Sequence, residues 1–169
     1  ALEAGDCRIV HGTTVATNAV LEGHGARTVY VSNRGLGDVL RIGRQTRAEL
    51  YNLTPLATDS PIDQADVVEV DARLGADGQE LVPLTSADIT QLVAEIDALA
   101  PEAIAINLLF SFVDDSHERQ IEAALEGRYF VSRSSWVLPE YREYERGVAT
   151  WLNAWLGPRM DTYLTALNV

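Results

Sequence analysis

Apolar positions along the chain fall by turns into short runs and helical spacings, and the alternation divides it into a series of elements. A short apolar run at residues 7–10 leads into His11, Gly12, Thr13 and Thr14, after which Val15, Ala16, Ala19 and Val20 keep helical spacing over 14–21. That order predicts a strand, a tight loop and a helix, with Gly23 and Gly25 as stop signals. Residues 28–32 (TVYVS) are β-branched enough for the next strand, and 35–42 predict a short helix. The polar stretch 44–66, interrupted by Pro55 and Pro61, predicts an ordered surface loop, and a loop of that length is usually functional or disordered.

Residues 67–74 and 79–82 flank Ala76, Asp77 and Gly78, where an Asp-Gly pair supplies the positive φ angles of a β-hairpin. Thr85 with Asp88 three residues on predicts a helix start, and Ile89, Leu92, Val93, Ile96 and Leu99 form one apolar stripe that Pro101 prevents from continuing. The almost continuous apolar run 103–110 (AIAINLLF) suits a strand covered on both faces of a parallel sheet, with Asn107 as its exception. Asp115 and Glu118 read as a capping pair for a helix over 116–125, and 129–132 follow Gly127 as a further strand. From Tyr141 the chain is helical in character, with Val148, Trp151, Leu152, Trp155 and Leu156 on adjoining faces. Pro158 is expected to interrupt this helix before a second stripe of Met160, Tyr163, Leu164 and Leu167. Trp151 and Trp155, one turn apart, read as core or interface anchors and not as a ligand cage.

Helix and strand alternate with short connections, which implies parallel strands joined by right-handed crossovers and places the chain in the α/β class, with a largely parallel sheet and flanking helices. The length of 169 residues fits one domain. The opening ALEAGD reads as the tail of a helix that begins upstream. The expectation is one incomplete domain over 1–169, with 139–169 a helical segment leading to a second domain beyond it.

Charge narrows the choice of partners. Thirteen Lys plus Arg against 25 Asp plus Glu give a net charge of −12, a field that repels nucleic-acid backbones and anionic lipid headgroups. Neither nucleic acid nor a membrane is an expected partner, and the acidic surface itself mainly keeps a protein soluble. Cys7 is the single cysteine, so no internal disulfide can form, and Ile9 and Val10 beside it suggest a buried strand thiol. No apolar stretch approaches a membrane span and no signal pattern opens the chain, so a cytoplasmic location is expected.

Chemistry can be carried by the loop at His11, Gly12, Thr13 and Thr14, where glycine allows close backbone approach and free helix N–H groups favour anions. Helix capping by Thr13 or Thr14 accounts for the same residues equally well. His24 and His117 sit in helix-end or cap contexts and read as structural, and no His, Cys and carboxylate spacing resembles a metal cage.

The longer string HGTTVATNAVLEGHGA, residues 11–26, closely resembles the N-terminal region of hydantoinase A, 5-oxoprolinase and related acetone and acetophenone carboxylase subunits. The resemblance continues, in the family's order, through RIGRQTRAELYNL at 41–53, DARLGADGQELVPL, INLLFSF with its following His-Glu, and PEYREYERGVATWLNAWLGPRM. Two departures are plain. The family's glycine-rich Asp-Gly-Gly-Thr strand and its larger C-terminal domain are not in this sequence, and where a pair of threonines usually follows Glu-Arg, this chain has Gly147, Val148, Ala149 and Thr150.

The resemblance implies a fold related to the sugar kinase, actin and acetate kinase (ribonuclease H-like) superfamily, of which this chain would supply part of the first half. It implies ATP-driven opening of a cyclic amide such as a hydantoin or 5-oxoproline. In that reaction phosphate transfer to the amide oxygen, aided by Mg²⁺, makes a poor electrophile attackable by water. A subunit of an ATP-dependent acetone- or acetophenone-type carboxylase and a non-catalytic binding module are the other readings. ATP and Mg²⁺ would belong to the full-length parent, with none held by this chain alone. The remaining domain or a partner subunit would complete the site, and a homo-oligomer is compatible with the tryptophan-bearing helix.

On the same resemblance Thr13 and Thr14 would be the catalytic residues. With Gly12 they would line the phosphate or substrate end of a cleft, His11 hydrogen-bonding substrate and Asn18 facing it from the first helical turn. Arg44, Gln45 and Arg47 would bind a carboxylate or imide edge, since guanidinium offers a planar fork, although surface salt bridges explain the arginines as well. Glu145 and Arg146 would act as a buried ion pair. Adjacent positions on a helix point different ways, so at most one would reach a ligand, and helix-surface charges are the simpler expectation.

Overall fold

The computed structural model describes residues 12–44, 51 and 60–167. In chain order, helix α1 (Val15–Glu22) precedes strand β1 (Thr28–Asn33), the single turn α2 (Val39–Ile42) and strand β2 (Val67–Val70). A small hairpin of β3 (Arg73–Leu74) and β4 (Glu80–Val82) leads to α3 (Ser86–Leu99), β5 (Ala103–Asn107) and α4 (Ser116–Leu125). The chain ends in β6 (Phe130–Arg133), the one-turn α5 (Ser134–Val137) and the long α6 (Glu143–Leu167).

Strands β2, β1, β5 and β6 lie side by side in that order, every pair parallel. This is the α/β architecture that the alternation predicts. Because side chains alternate across a strand, Val29, Val31, Ile104 and Ile106 share one face and pack on Leu92 and Ile96 of α3 and Ile121 and Leu125 of α4. Tyr30, Ala103 and Ala105 share the opposite face with Leu40 and with Ala154, Val148 and Trp151 of α6. The two alanines let α6 lie close to β5. The approach is tightest at Gly147, where a Cβ would fall 2.8 Å from both Asn107 Nδ2 and the Tyr30 hydroxyl and 2.9 Å from Leu40.

Local signals account for the helix boundaries. Gly23 ends α1 in the left-handed region at φ 68°, and its N–H returns to carbonyls of the last turn. Thr85 and Asp88 form the expected capping box at the head of α3, each side chain bonding the other's backbone N–H.

Several expectations are corrected. Only β3 and β4 form the hairpin, because β2 joins the parallel sheet beside β1 and leaves Asp71 and Ala72 to connect the two sheets. The helix expected over 35–42 shortens to one turn. The apolar run 103–110 is strand only as far as Asn107, and the chain then turns through Phe110 at φ 59°. Pro158 sits inside α6 without ending it. Its missing N–H costs one hydrogen bond, while Ala154 and Gly157 on the preceding turn are buried, Gly157 against the Phe130 ring, and hold the helix on the sheet. Asp115 makes no side-chain cap at α4. Asp114 accepts from the Ser116 N–H instead, and Glu118 turns inward.

The apolar run 7–10 with Cys7, and most of the loop 44–66, lie outside the described residues. No helix among the described residues is long and apolar enough to cross a membrane.

Candidate functional site

Ligands of open α/β sheets bind beyond the carboxyl ends of the strands, and in this chain that edge is where buried polar side chains gather. Asn33 closes β1 and Asn107 closes β5, both buried. Ser134 follows β6 and Ser111 follows the β5 turn, also buried. Arg146 reaches the same edge from the first turns of α6 and Glu118 from the first turn of α4, each with no exposed surface.

These groups satisfy one another through the backbone. Arg146 donates from Nε to Asn107 Oδ1 at 2.9 Å, from one terminal nitrogen to the Leu108 carbonyl at 2.7 Å and from the other to the Glu140 carbonyl at 2.8 Å. Its guanidinium lies over the Phe112 ring. The Asn107 amide nitrogen donates to the Tyr30 hydroxyl at 2.7 Å and to the Glu143 carbonyl at 3.2 Å. Glu118 accepts from Leu108 N–H at 2.9 Å, Ser134 Oγ at 2.6 Å and Ser135 N–H at 2.9 Å. Asn33 donates to the Ala72 carbonyl and accepts from Leu109 N–H at 2.6 Å.

Burial sets the electrostatics. It pushes the Arg146 guanidinium below its ordinary value, against the opposing pull of Glu118 and Glu143. It pushes the Tyr30 phenol up to about 12, although the Asn107 hydrogen bond works the other way.

The other expected site residues sit nearer the surface. Gly12, Thr13, Thr14 and Asn18 are exposed at the start of α1. Thr13 Oγ1 accepts from Val15 N–H at 3.2 Å, while Thr14 occupies the cap position without a side-chain cap bond. The Thr13 bond closes a two-residue turn ahead of the helix and is not an N-cap, so neither threonine's side chain caps α1. Ala16, in the first turn of α1, faces Ala149 of α6 and Val137 of α5 across a groove, whereas Gly25, just beyond the far end of α1, packs under Trp155. The head of α1 therefore lies at the same edge of the sheet as the head of α6. The groove encloses about 580 Å³ and is mainly apolar, with Leu152, Leu156 and Met160 on its walls.

Arg44 pairs with Glu145 Oε1 at 2.6 Å. The Glu145 carboxyl is held below the usual carboxylate range by its backbone N–H at the helix start and by Arg44. The structure thus separates the neighbours 145 and 146. Glu145 meets Arg44 at the surface, and Arg146 turns into the interior, where it is neither a helix-surface charge nor the ion-pair partner of Glu145. His11, Gln45 and Arg47 lie outside the described residues. His117 is buried and bonds Glu80 Oε1 at 2.7 Å, a structural contact between α4 and the hairpin. Among the described residues, no three His, Cys, Asp or Glu side chains converge on a point that could hold a metal.

Sequence reasoning missed Glu118, taken for a cap, together with Asn33, Ser111 and Ser134. Its one available signal was Asn107, a polar residue inside an apolar run, which marks the centre of the network.

A parallel sheet covered by helices on both faces, with its polar groups collected at the strand ends, defines an α/β domain built to present loops at one edge. Comparison places it in a family. Residues 7–128 match the hydantoinase/oxoprolinase N-terminal region, and the chain belongs to that family. It is 33% identical to 5-oxoprolinase 1 of Arabidopsis thaliana, over 91% of this chain and 14% of that protein. The crystal structure of the ATP-dependent caprolactamase from Pseudomonas jessenii superposes with a TM-score of 0.82 at 29% identity, covering 96% of this chain and 24% of that one. The acetophenone carboxylase gamma subunit of Aromatoleum aromaticum is 27% identical over 94% of this chain and 24% of its own length. The chain spans about a quarter or less of the length of these relatives.

Proposed function

We propose that this chain is the N-terminal part of an ATP-dependent hydrolase that opens a cyclic amide of the hydantoin, 5-oxoproline or lactam type. The observation that carries the reading is the likeness, in sequence and fold together, to an ATP-dependent caprolactamase over almost the whole chain. In a longer parent, residues 1–169 form one incomplete domain and 139–169 lead toward the next. A partner subunit or domain completes the site, in keeping with relatives named as subunits. The use of ATP fits a cytoplasmic protein.

The chain's own groups suit part of that chemistry. Gly12 has open space where a Cβ would stand, and with the exposed Thr13 and Thr14 hydroxyls and the first N–H groups of α1 it offers donors to a phosphate or a carbonyl. Arg44, though paired with Glu145, is exposed enough to meet a carboxylate or imide edge, with Gln45 and Arg47 next in sequence. Asn18 follows on α1. ATP supplies the phosphoryl group that activates the amide oxygen, and this edge orients substrate toward it.

The acetophenone carboxylase likeness supports a second reading, a carboxylase subunit. The test is ATP hydrolysis by the parent with hydantoin, 5-oxoproline or caprolactam, against acetone or acetophenone with bicarbonate, beside the isolated chain. Ring opening coupled to ATP use in the parent, with none in the isolated chain, is the expected result. ATP use that responds only to ketone and bicarbonate would replace the hydrolase with the carboxylase.

A further inference from the structure

Glu118 bonds both the loop after β5, at Leu108, and the turn after β6, at Ser134 and Ser135. Its carboxylate has no exposed surface, and among the described residues no arginine or histidine pairs with it. One oxygen takes the Leu108 N–H and the Ser134 hydroxyl, the other takes the Ser135 N–H, and Ser134 passes the contact on to Ser111 at 3.0 Å. Burying an unpaired carboxylate is costly, and it is offset here by three donors that an apolar side chain would leave without an acceptor. What apolar filling cannot supply is three directed bonds that join two loops. Leu108 is gripped from both sides, its N–H by Glu118 and its carbonyl by Arg146, while Leu109 N–H is held by Asn33. The residues that follow, Phe110 to Phe112 on one loop and Ser135 to Leu138 on the other, stand at the strand edge where the heads of α1 and α6 also meet.

We infer that Glu118 is a positioning residue, fixing the β5 and β6 loops in one mutual arrangement at the candidate cleft. It acts through Leu108, Ser134 and Ser135 and touches no ligand. Its importance for turnover rests on the hydrolase reading, but its grip on the loops does not.

Glu118→Gln is the direct probe, because a carboxamide keeps one acceptor oxygen and turns an N–H₂ toward the Ser135 N–H, two donors facing each other. Amide hydrogen exchange on the 169-residue chain is expected to accelerate about tenfold or more at Ser135, which loses a bond to a charged group, and by less at Leu108, whose acceptor remains but is no longer charged, with β1 and α3 unchanged. Uniform acceleration across the sheet, or none anywhere, overturns the proposal. Should the glutamine variant fail to fold, Glu118→Asp keeps the charge, retracts it by one methylene and is read the same way. In the parent enzyme, below the melting temperature, Glu118→Gln is expected to lower kcat by about 10²-fold, as small misplacements do, with KM for ATP within about twofold. A lowered melting temperature with unchanged kcat would make Glu118 purely structural and also overturns the proposal. A wild-type parent without turnover on any cyclic amide would sink the hydrolase reading alone, and the exchange pattern would still decide the role of Glu118.

Discussion

Replacing Arg146 by methionine tests the interior role that the structure gives this residue. Methionine fills much of the volume but donates nothing, so the Leu108 carbonyl and Asn107 Oδ1 lose their partners in the interior, while the Glu140 carbonyl, on an exposed residue, can turn to water. A hydrogen bond to a charged group contributes about 1.5–3 kcal/mol net, so two unreplaced bonds represent roughly 3–6 kcal/mol. Relief of the buried guanidinium's own desolvation offsets part of that. The expected net loss is about 3 kcal/mol, which for a chain of this size lowers Tm by roughly 6–12 °C. Urea unfolding followed by circular dichroism, with wild type beside the variant, reads the change directly. Arg146→Lys is expected to recover little of it, because one ammonium cannot reach acceptors spread around a planar fork. Arg44→Ala, which removes an exposed pair, serves as the reference and should cost under about 1 kcal/mol. A loss below about 1 kcal/mol in Arg146→Met, or full stability in Arg146→Lys, would refute the claim that the guanidinium's geometry holds the strand ends.

Alkaline pH gives an independent reading of the same network. Burial raises the Tyr30 phenol to about 12, against about 10 in the unfolded chain. Its contribution is therefore complete below about pH 10 and lost as pH rises toward 12, in total roughly 3 kcal/mol. The chain contains no lysine, and its five other tyrosines are common to wild type and Tyr30→Phe, so the comparison isolates Tyr30. The urea midpoint of wild type should fall more steeply between pH 9 and 12 than that of Tyr30→Phe, and parallel curves would count against the burial argument. Gly147→Ala places a methyl 2.8 Å from Asn107 Nδ2 and the Tyr30 hydroxyl and is expected to cost about 1–3 kcal/mol by overpacking; a neutral melting curve would show that α6 can move aside. Thr85→Ala should lose about 1 kcal/mol with the capping box at the head of α3, and an unchanged urea midpoint would mean that the cap is redundant.

What the sequence discloses and what it hides divide along chain distance. Thr85 with Asp88, the stripe from Ile89 to Leu99 and the β-branched run at 28–32 are local statements, and the structure keeps each of them. Pro158 and the 67–82 hairpin were misjudged because contacts from elsewhere outweigh local preference: the seat of Gly157 on Phe130 in one case, the pairing of β2 with β1 in the other. Asn107 is visible as an anomaly, but its partners Tyr30 and Arg146 stand 77 and 39 residues away, and no spacing rule connects them.

Glu145 and Arg146 show why the candidate site itself was harder to read than the fold. Two neighbouring charges on a helix look alike in sequence, and the period of 3.6 says only that they diverge. Which one turns inward depends on where α6 crosses β5. That crossing is set by Ala103, Ala105 and Gly147, residues with no chemistry of their own. Their small size brings the helix near enough for a guanidinium to span from Asn107 to the Leu108 and Glu140 carbonyls. Glu118 occupies the mirrored position on the other face of the sheet, where its carboxylate grips the N–H of the residue whose carbonyl Arg146 holds. A buried cation and a buried anion are thus joined through one residue of backbone, and each is satisfied by peptide groups and a neutral side chain, Asn107 or Ser134, and not by the other. Coupling between them follows from that arrangement. Arg146→Met and Glu118→Gln combined should destabilise by less than the sum of the two alone, because the second change acts on a loop the first has already freed. Strict additivity in that double-mutant cycle would mean that the two faces hold Leu108 independently.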